Sequence, residues 1–232
     1  GLDSIGIYKP CRPSAEEVEI HNRTHIPFRN WCEICIRARA QNSPHKKLNK
    51  EERTMPTIFL DFGYTKEEEG HGNKNKGKPM LVLKDRDTKF TTSFMLRSKG
   101  QDEYTIRTTC RYLERVYGYR KFILRGDQEP AMEQLKTMIK KHCRADVQVE
   151  GTPIGESQSA GEIESSIKGV QGMIRTYKLA IESRIGGEIG EDHPIMPFVV
   201  MQASAHWNRY HIGKDGMTSY RRPKGRNFRK EV

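Results

Sequence analysis

Hydrophobic positions recur along this chain with two different periods. Short apolar or alternating runs at 57–64, 79–84, 89–96, 121–126 and 147–151 predict strands. A 3–4 residue period replaces them at about 102–118, where Ile106, Cys110, Leu113 and Val116 share a face, and again at about 129–143, where Met132, Leu135, Met138 and Ile139 do. A longer helix is predicted from about Ala160 to Arg184, with Ile163, Ile167, Val170 and Ile174 as its apolar stripe. One more spans about 195–210. The segment 65–78 has almost no apolar residues and reads as a solvated hairpin loop, and 83–90 as the next tight turn.

Three sequential antiparallel strands, helix, strand, helix, strand is the order of an α/β, ribonuclease-H-like fold. It implies a mixed five-stranded sheet with helices on both faces. Residues 1–53 are polar and helix-prone in patches and form a separate N-terminal module and linker. The core is expected at 54–212. Residues 213–232, strongly basic and containing Gly and Pro, read as an extended or disordered tail.

Composition narrows the partners. Only 34% of the 232 residues are apolar and 31% are charged, so much of the chain is solvated surface. Lys plus Arg number 41 against 30 acids, a net charge of +11, which favours a polyanionic partner. No apolar run approaches the roughly 18 residues of a membrane span, and no signal peptide is visible. The chain begins at Gly1 and reads as an internal piece of a longer polypeptide. Five cysteines without a secretory signal argue against a disulfide framework; Cys110 and Cys143, in predicted helices, read as structural thiols.

Three acids stand in contexts that suit two-metal phosphoryl transfer. Asp61 lies in the strand TIFLDFGY, Asp127 ends the strand in KFILRGD, and Glu164 sits on the long helix. Two divalent ions can activate an attacking oxygen and stabilise the leaving oxygen of a phosphodiester, and hard Mg²⁺ (or Mn²⁺) prefers carboxylate ligands. Strands one and four are neighbours in such a sheet, so the two aspartates should meet. Asp85 and Asp87 are explained by turn chemistry, and Glu129 by the first turn of a helix. Glu162 competes with Glu164, pointing about 200° away around the same helix.

A second group reads H-x3-H-x6-C-x2-C: His21, His25, Cys32 and Cys35. Two His at i, i+4 and a C-x2-C pair are zinc-ligand spacings, and four protein ligands make a structural Zn²⁺ site. Trp31 and Phe28 would supply the small core of such a module.

An HHCC element followed by D, D and E resembles the integrases of retroviruses and long-terminal-repeat retrotransposons. ILRGDQEPA resembles the second-aspartate motif of copia-type and related elements, and SAGEIESSIKGVQ is similar to their third motif. In that motif the Glu falls three residues after Gly, which selects Glu164 over Glu162. The likeness covers roughly residues 8–228. It implies 3′-end processing of the element's DNA and its joining to host DNA, by two ions on Asp61, Asp127 and Glu164. It further implies double-stranded DNA as partner, a homo-oligomer, a nuclear location and a flexible active-site loop at 151–161. Basic residues on the long helix (Lys168, Arg175, Lys178) and in the tail (Arg221, Arg222, Lys224, Arg226) would contact phosphates. The chain departs from the family in its short central HHCC gap and in Gln171, where a second basic residue would stand on the Lys168 face. Two alternatives are a catalytically inactive or domesticated DNA-binding remnant and a ribonuclease-H-like nuclease.

Overall fold

The computed structural model describes residues 13–25, 29, 31–35, 55–66, 77–100, 102–151 and 157–229, without the side chains of 157–160. Phe28 and parts of the loops 65–78 and 151–161 lie outside the described residues. Two compact units are present, Gly1–Lys47 and Leu48–Val232.

The first unit contains α1 (Ala15–Thr24). Ser14 caps it in a reciprocal box: its hydroxyl accepts from the Glu17 amide, and the Glu17 carboxylate accepts from the Ser14 amide. His25 ends the helix in the left-handed region at φ 52. The turn therefore re-aims the chain at a residue the sequence marks as a ligand.

The second unit is built on a five-stranded sheet in the order β3-β2-β1-β4-β5. Its strands are β1 (Thr57–Tyr64), β2 (Pro79–Asp85), β3 (Thr91–Met95), β4 (Lys121–Gly126) and β5 (Asp146–Gly151). β1–β2 and β2–β3 are antiparallel; β1–β4 and β4–β5 are parallel. Both the mixed sheet and the sequential antiparallel trio match the expectation from element order.

Strand alternation divides the core. Ile58, Leu60 and Phe62 pack with Leu124, Leu135 and Ile139 against α2 (Glu103–Tyr112) and α3 (Pro130–His142). Phe59 packs on the other face with Met80, Val82 and the stripe Ile163, Ile167, Val170 and Ile174 of α4 (Ser157–Ile185). Val199, Val200 and Ala203 of α5 (Met196–Tyr210) complete that layer. Asp61 therefore lies on the α4 face of the sheet. Gly63 sits there too, and a Cβ added to it would come 3.0 Å from Ile167.

Local chemistry sets the helix ends. Asp102 caps α2 by accepting from the Thr105 amide at 3.1 Å, and Pro130 opens α3 where its missing N–H costs nothing. The helix predicted over 102–118 changes at Leu113 into a π-helical turn, Leu113–Tyr117, closed by Gly118 at φ 71. The predicted tight turn joins β2 to β3. There the Asp85 carboxylate accepts from the Asp87 amide, the Thr88 hydroxyl and the Tyr119 hydroxyl, confirming it as a turn residue.

The tail corrects the sequence reading. It is neither extended nor disordered as far as Arg229. Ile212 bridges Thr218, Tyr220 donates its amide to Asn208, and α6 (Arg221–Lys224) follows. Phe228 packs edge-on against Tyr210 and Tyr220 under the Arg209 guanidinium. Asn208 is itself locked by two backbone bonds to Thr91 of β3, so the tail is fastened to the sheet through α5. No helix among the described residues is long and apolar enough to cross a membrane.

Candidate active site and metal centre

Two parallel strands bring Asp61 and Asp127 together. Phe59 of β1 pairs with Arg125 of β4, and each aspartate lies two residues further on. Asp61 is still within β1, opposite Val82, while Asp127 stands just beyond the end of β4. The Asp61 carboxylate accepts from the Phe62 amide at 2.7 Å. Asp127 is exposed and accepts from the Glu129 amide at 3.2 Å, a local turn bond that leaves acceptor capacity on its carboxylate.

The electrostatics of Asp61 report its neighbours. Burial, then the negative charge of Asp127, push its carboxyl from an ordinary 3.8 up to about 6. The Phe62 amide and Lys99 pull it back down, and Glu164 adds to the rise. The field of Glu164 on α4 thus reaches the same carboxyl as that of Asp127. Glu162 faces elsewhere: its carboxylate accepts from Lys89 at 2.7 Å, and its backbone carbonyl accepts from the buried Lys84 at 2.8 Å. Burial drops the Lys84 ammonium to about 8. The two glutamates on one helix therefore have separate environments, and of the two it is Glu164 whose charge acts on Asp61.

The half-buried Asp61 thus carries the fields of two exposed carboxylates, Asp127 and Glu164. The side chains of all three offer oxygens, the donor type of Mg²⁺ and Mn²⁺. Among the described residues the group whose donor atoms converge as metal ligands is His21, His25, Cys32 and Cys35, so the three acids are related here by their oxygen donors and their charge alone.

Lys99 was not legible in the sequence. It follows β3 in a stretch of bends, and nothing in its spacing marks it. It pairs with Glu129 at 3.2 Å and lies over the Phe62 and Tyr64 rings at 5.4 and 5.6 Å, on the carboxylate edge of the sheet.

The basic residues proposed for phosphate contact divide. Lys168, Arg175, Arg221, Lys224 and Arg226 are exposed. Lys178 is instead held between Glu182 and Glu191, at 3.8 and 3.5 Å. Arg222 is consumed by the fold: it grips Asp215 through two nitrogens at 3.0 and 2.7 Å and donates to the carbonyls of Thr88 and Met217. A guanidinium so committed has no fork left for a phosphate. Gln171 is likewise buried and donates to the Tyr64 carbonyl at 2.8 Å, so it is an anchor of α4 on β1.

In the N-terminal unit the four predicted ligands converge. One donor atom from each of His21, His25, Cys32 and Cys35 lies within 4.8 Å of the others. Cys32 Sγ lies 3.5 Å from His25 Nδ1, and Cys35 Sγ lies 3.3 Å from His21 Nε2 and 3.9 Å from His25 Nδ1. Zn–S and Zn–N bonds of about 2.3 and 2.05 Å in a tetrahedron give a nitrogen–sulfur edge of roughly 3.6 Å, which these distances bracket. On either side of the short gap, His25 stands in the left-handed region and Trp31 packs on His21 at 4.9 Å. These residues could hold a metal ion, and the donor set suits zinc.

No protein-family profile and no curated protein matches the chain. Solved structures do. A simian T-cell lymphotropic virus intasome in complex with PP2A regulatory subunit B56 gamma aligns with a TM-score of 0.54 at 12% identity, over 82% of this chain and 62% of that one. The HTLV-2 integrase catalytic core domain in complex with magnesium aligns at 0.46 and 12% identity, over 71% and 93%. The catalytic core of BIV integrase aligns at 0.44 and 14%, over 71% and 90%. At such identities the likeness concerns the fold alone: the mixed five-stranded sheet with its flanking helices matches the ribonuclease-H-like core within the intasome.

Proposed function

We propose that this chain is a retroelement integrase, a polynucleotidyl transferase that processes the 3′ ends of an element's DNA and joins them to host DNA. The fields that Asp127 and Glu164 both exert on the half-buried Asp61, in a core of integrase-type fold, are the observation that supports this reading. The fold alone would serve many functions, whereas a half-buried carboxylate under the field of two others is a costly arrangement without a cation. Two Mg²⁺ or Mn²⁺ ions, when bound, would supply the Lewis acidity that activates an attacking oxygen and stabilises the leaving one.

The chain's own residues define the rest. Asp61 is rigid within β1 and buried enough to exclude bulk water from one side of the site. Asp127 and Glu164, exposed on a strand end and a helix, give the site its open, DNA-facing side. Lys168, one turn beyond Glu164, and the exposed Arg175, Arg221, Lys224 and Arg226 would hold the duplex by its phosphates, which positions DNA without reading sequence. The His21, His25, Cys32 and Cys35 group would bind structural zinc and order the N-terminal module. Integration requires two DNA ends, which implies a homo-oligomer acting in the nucleus, where host DNA is held.

The test is a joining assay with blunt-ended DNA and Mg²⁺ or Mn²⁺. Joined products are expected. Cleavage without joining would assign a nuclease instead, and binding without either a catalytically silent remnant.

A further inference from the structure

The helix α3 carries a lysine on its apolar face. Met132, Leu135, Lys136 and Ile139 follow the spacing of a buried stripe, and all four are fully buried. A buried ammonium is tolerated only when its protons are taken up. Lys136 Nζ has four acceptors: the carbonyls of Asp127, Gly126 and Glu150 at 3.1, 3.4 and 3.3 Å, and the Glu133 carboxylate at 2.6 Å. The three carbonyls sit where the parallel strands β4 and β5 end. One belongs to Asp127 itself.

The surroundings leave little freedom there. A Cβ on Gly126 would stand 3.0 Å from the Leu60 carbonyl and 3.1 Å from Met132, so the backbone just before Asp127 is pressed onto β1 and α3. Beyond Asp127 the Gln128 side chain packs on Gly151 of β5, and Pro130 starts α3. Lys136 reaches back from α3 and donates to the carbonyl of this exposed residue.

We infer that Lys136 is a positioning residue for the Asp127 carboxylate. It touches neither DNA nor cation; it fixes the peptide from which the carboxylate projects. The inference rests on the two-cation reading above. Groups that orient a metal ligand typically affect metal affinity about 10–100-fold when removed. Loss of Lys136 should therefore weaken cation binding by about 10-fold or more, with a melting transition retained.

The experiment uses the full chain. Mn²⁺ binding is titrated by electron paramagnetic resonance for the wild type, Lys136→Met, Lys136→Gln and Asp61→Asn, with circular-dichroism melts alongside. The expected result is folded variants in which Met weakens Mn²⁺ binding by about 10-fold or more and Gln, which keeps one donor for the carbonyls, by less. In the joining assay kcat should fall while the KM for DNA holds. Wild-type Mn²⁺ affinity in Lys136→Met, with binding lost in Asp61→Asn, would overturn the inference and leave the two-cation reading standing. Unfolding of both Lys136 variants would also overturn it, because the lysine would then hold the sheet rather than the site. Absence of Mn²⁺ binding in the wild type would remove both.

Discussion

Asp127 raises the proton affinity of Asp61 across the seam between two parallel strands. The pairing of Phe59 with Arg125 brings the two carboxylates to one edge, and neither is neutralised by a bonded cationic partner in the described contacts. Lys99 opposes the rise through space while bonded to Glu129.

The burial of Asp61, and after it this relationship, make stability depend on pH with a definite sign. An acid whose folded pKa is raised favours the protonated state on folding. The fold is therefore unpenalised below about 4 and loses stability as pH climbs from about 4 to about 6, the window between the ordinary and the raised value. Without divalent ions, Asp61→Asn should stabilise the protein at pH 7.5 by roughly 1–3 kcal/mol, and hardly at all at pH 4. Calorimetric melts in a chelator at the two pH values check it.

Divalent ions should reverse the penalty. Mg²⁺ at 100 times its dissociation constant would raise wild-type stability by about 2.7 kcal/mol and leave Asp61→Asn nearly unchanged. Melts with and without Mg²⁺ measure this directly.

The N-terminal unit should depend on zinc. Cys35→Ser removes a buried donor lying 3.3 Å from His21, and should abolish bound zinc and the helicity of α1. Metal content and far-ultraviolet circular dichroism report the two effects. The five-stranded core should keep its own melting transition.

Two glycines on α4 should respond oppositely to alanine. A Cβ at Gly169 would come 2.9 Å from the Trp207 ring, which is stacked on His211, so Gly169→Ala should cost about 1–3 kcal/mol. At Gly172 the nearest atom is an Arg175 nitrogen at 3.9 Å, and alanine should stabilise by up to about 1 kcal/mol through helix propensity. Denaturant melts decide both signs.

The basic tail residues should separate in the same way. Arg222→Ala should cost stability, by roughly 1–3 kcal/mol, because it strips Asp215 and two carbonyls of a donor. Lys224→Ala and Arg226→Ala should leave stability unchanged and each lower the salt dependence of DNA binding by about one unit of slope.

The sequence carried the sheet and its helices because periodicity reports burial. The stripe Ile163, Ile167, Val170 and Ile174 is buried as spaced, and the HHCC group converges as its ligand pattern required. Glycine register separated Glu164 from Glu162, and the structure gives the two different neighbours. What escaped were roles set by distant partners. Arg222 reads as a solvated tail charge because Thr88, which it binds, is 134 positions away. Lys178 reads as a free helix cation because Glu191 lies beyond the end of its helix. Lys136 escaped the helix pattern altogether, because three of its acceptors are carbonyls, which no side-chain pattern records.

The central claim is that Asp61, Asp127 and Glu164 act as one site. Mg²⁺-dependent joining of blunt DNA ends by wild type, Asp127→Asn, Glu164→Gln and Glu162→Gln, each verified as folded, tests it most directly. Joining should vanish in Asp127→Asn and Glu164→Gln and persist in Glu162→Gln. Joining retained by folded Asp127→Asn would contradict the account.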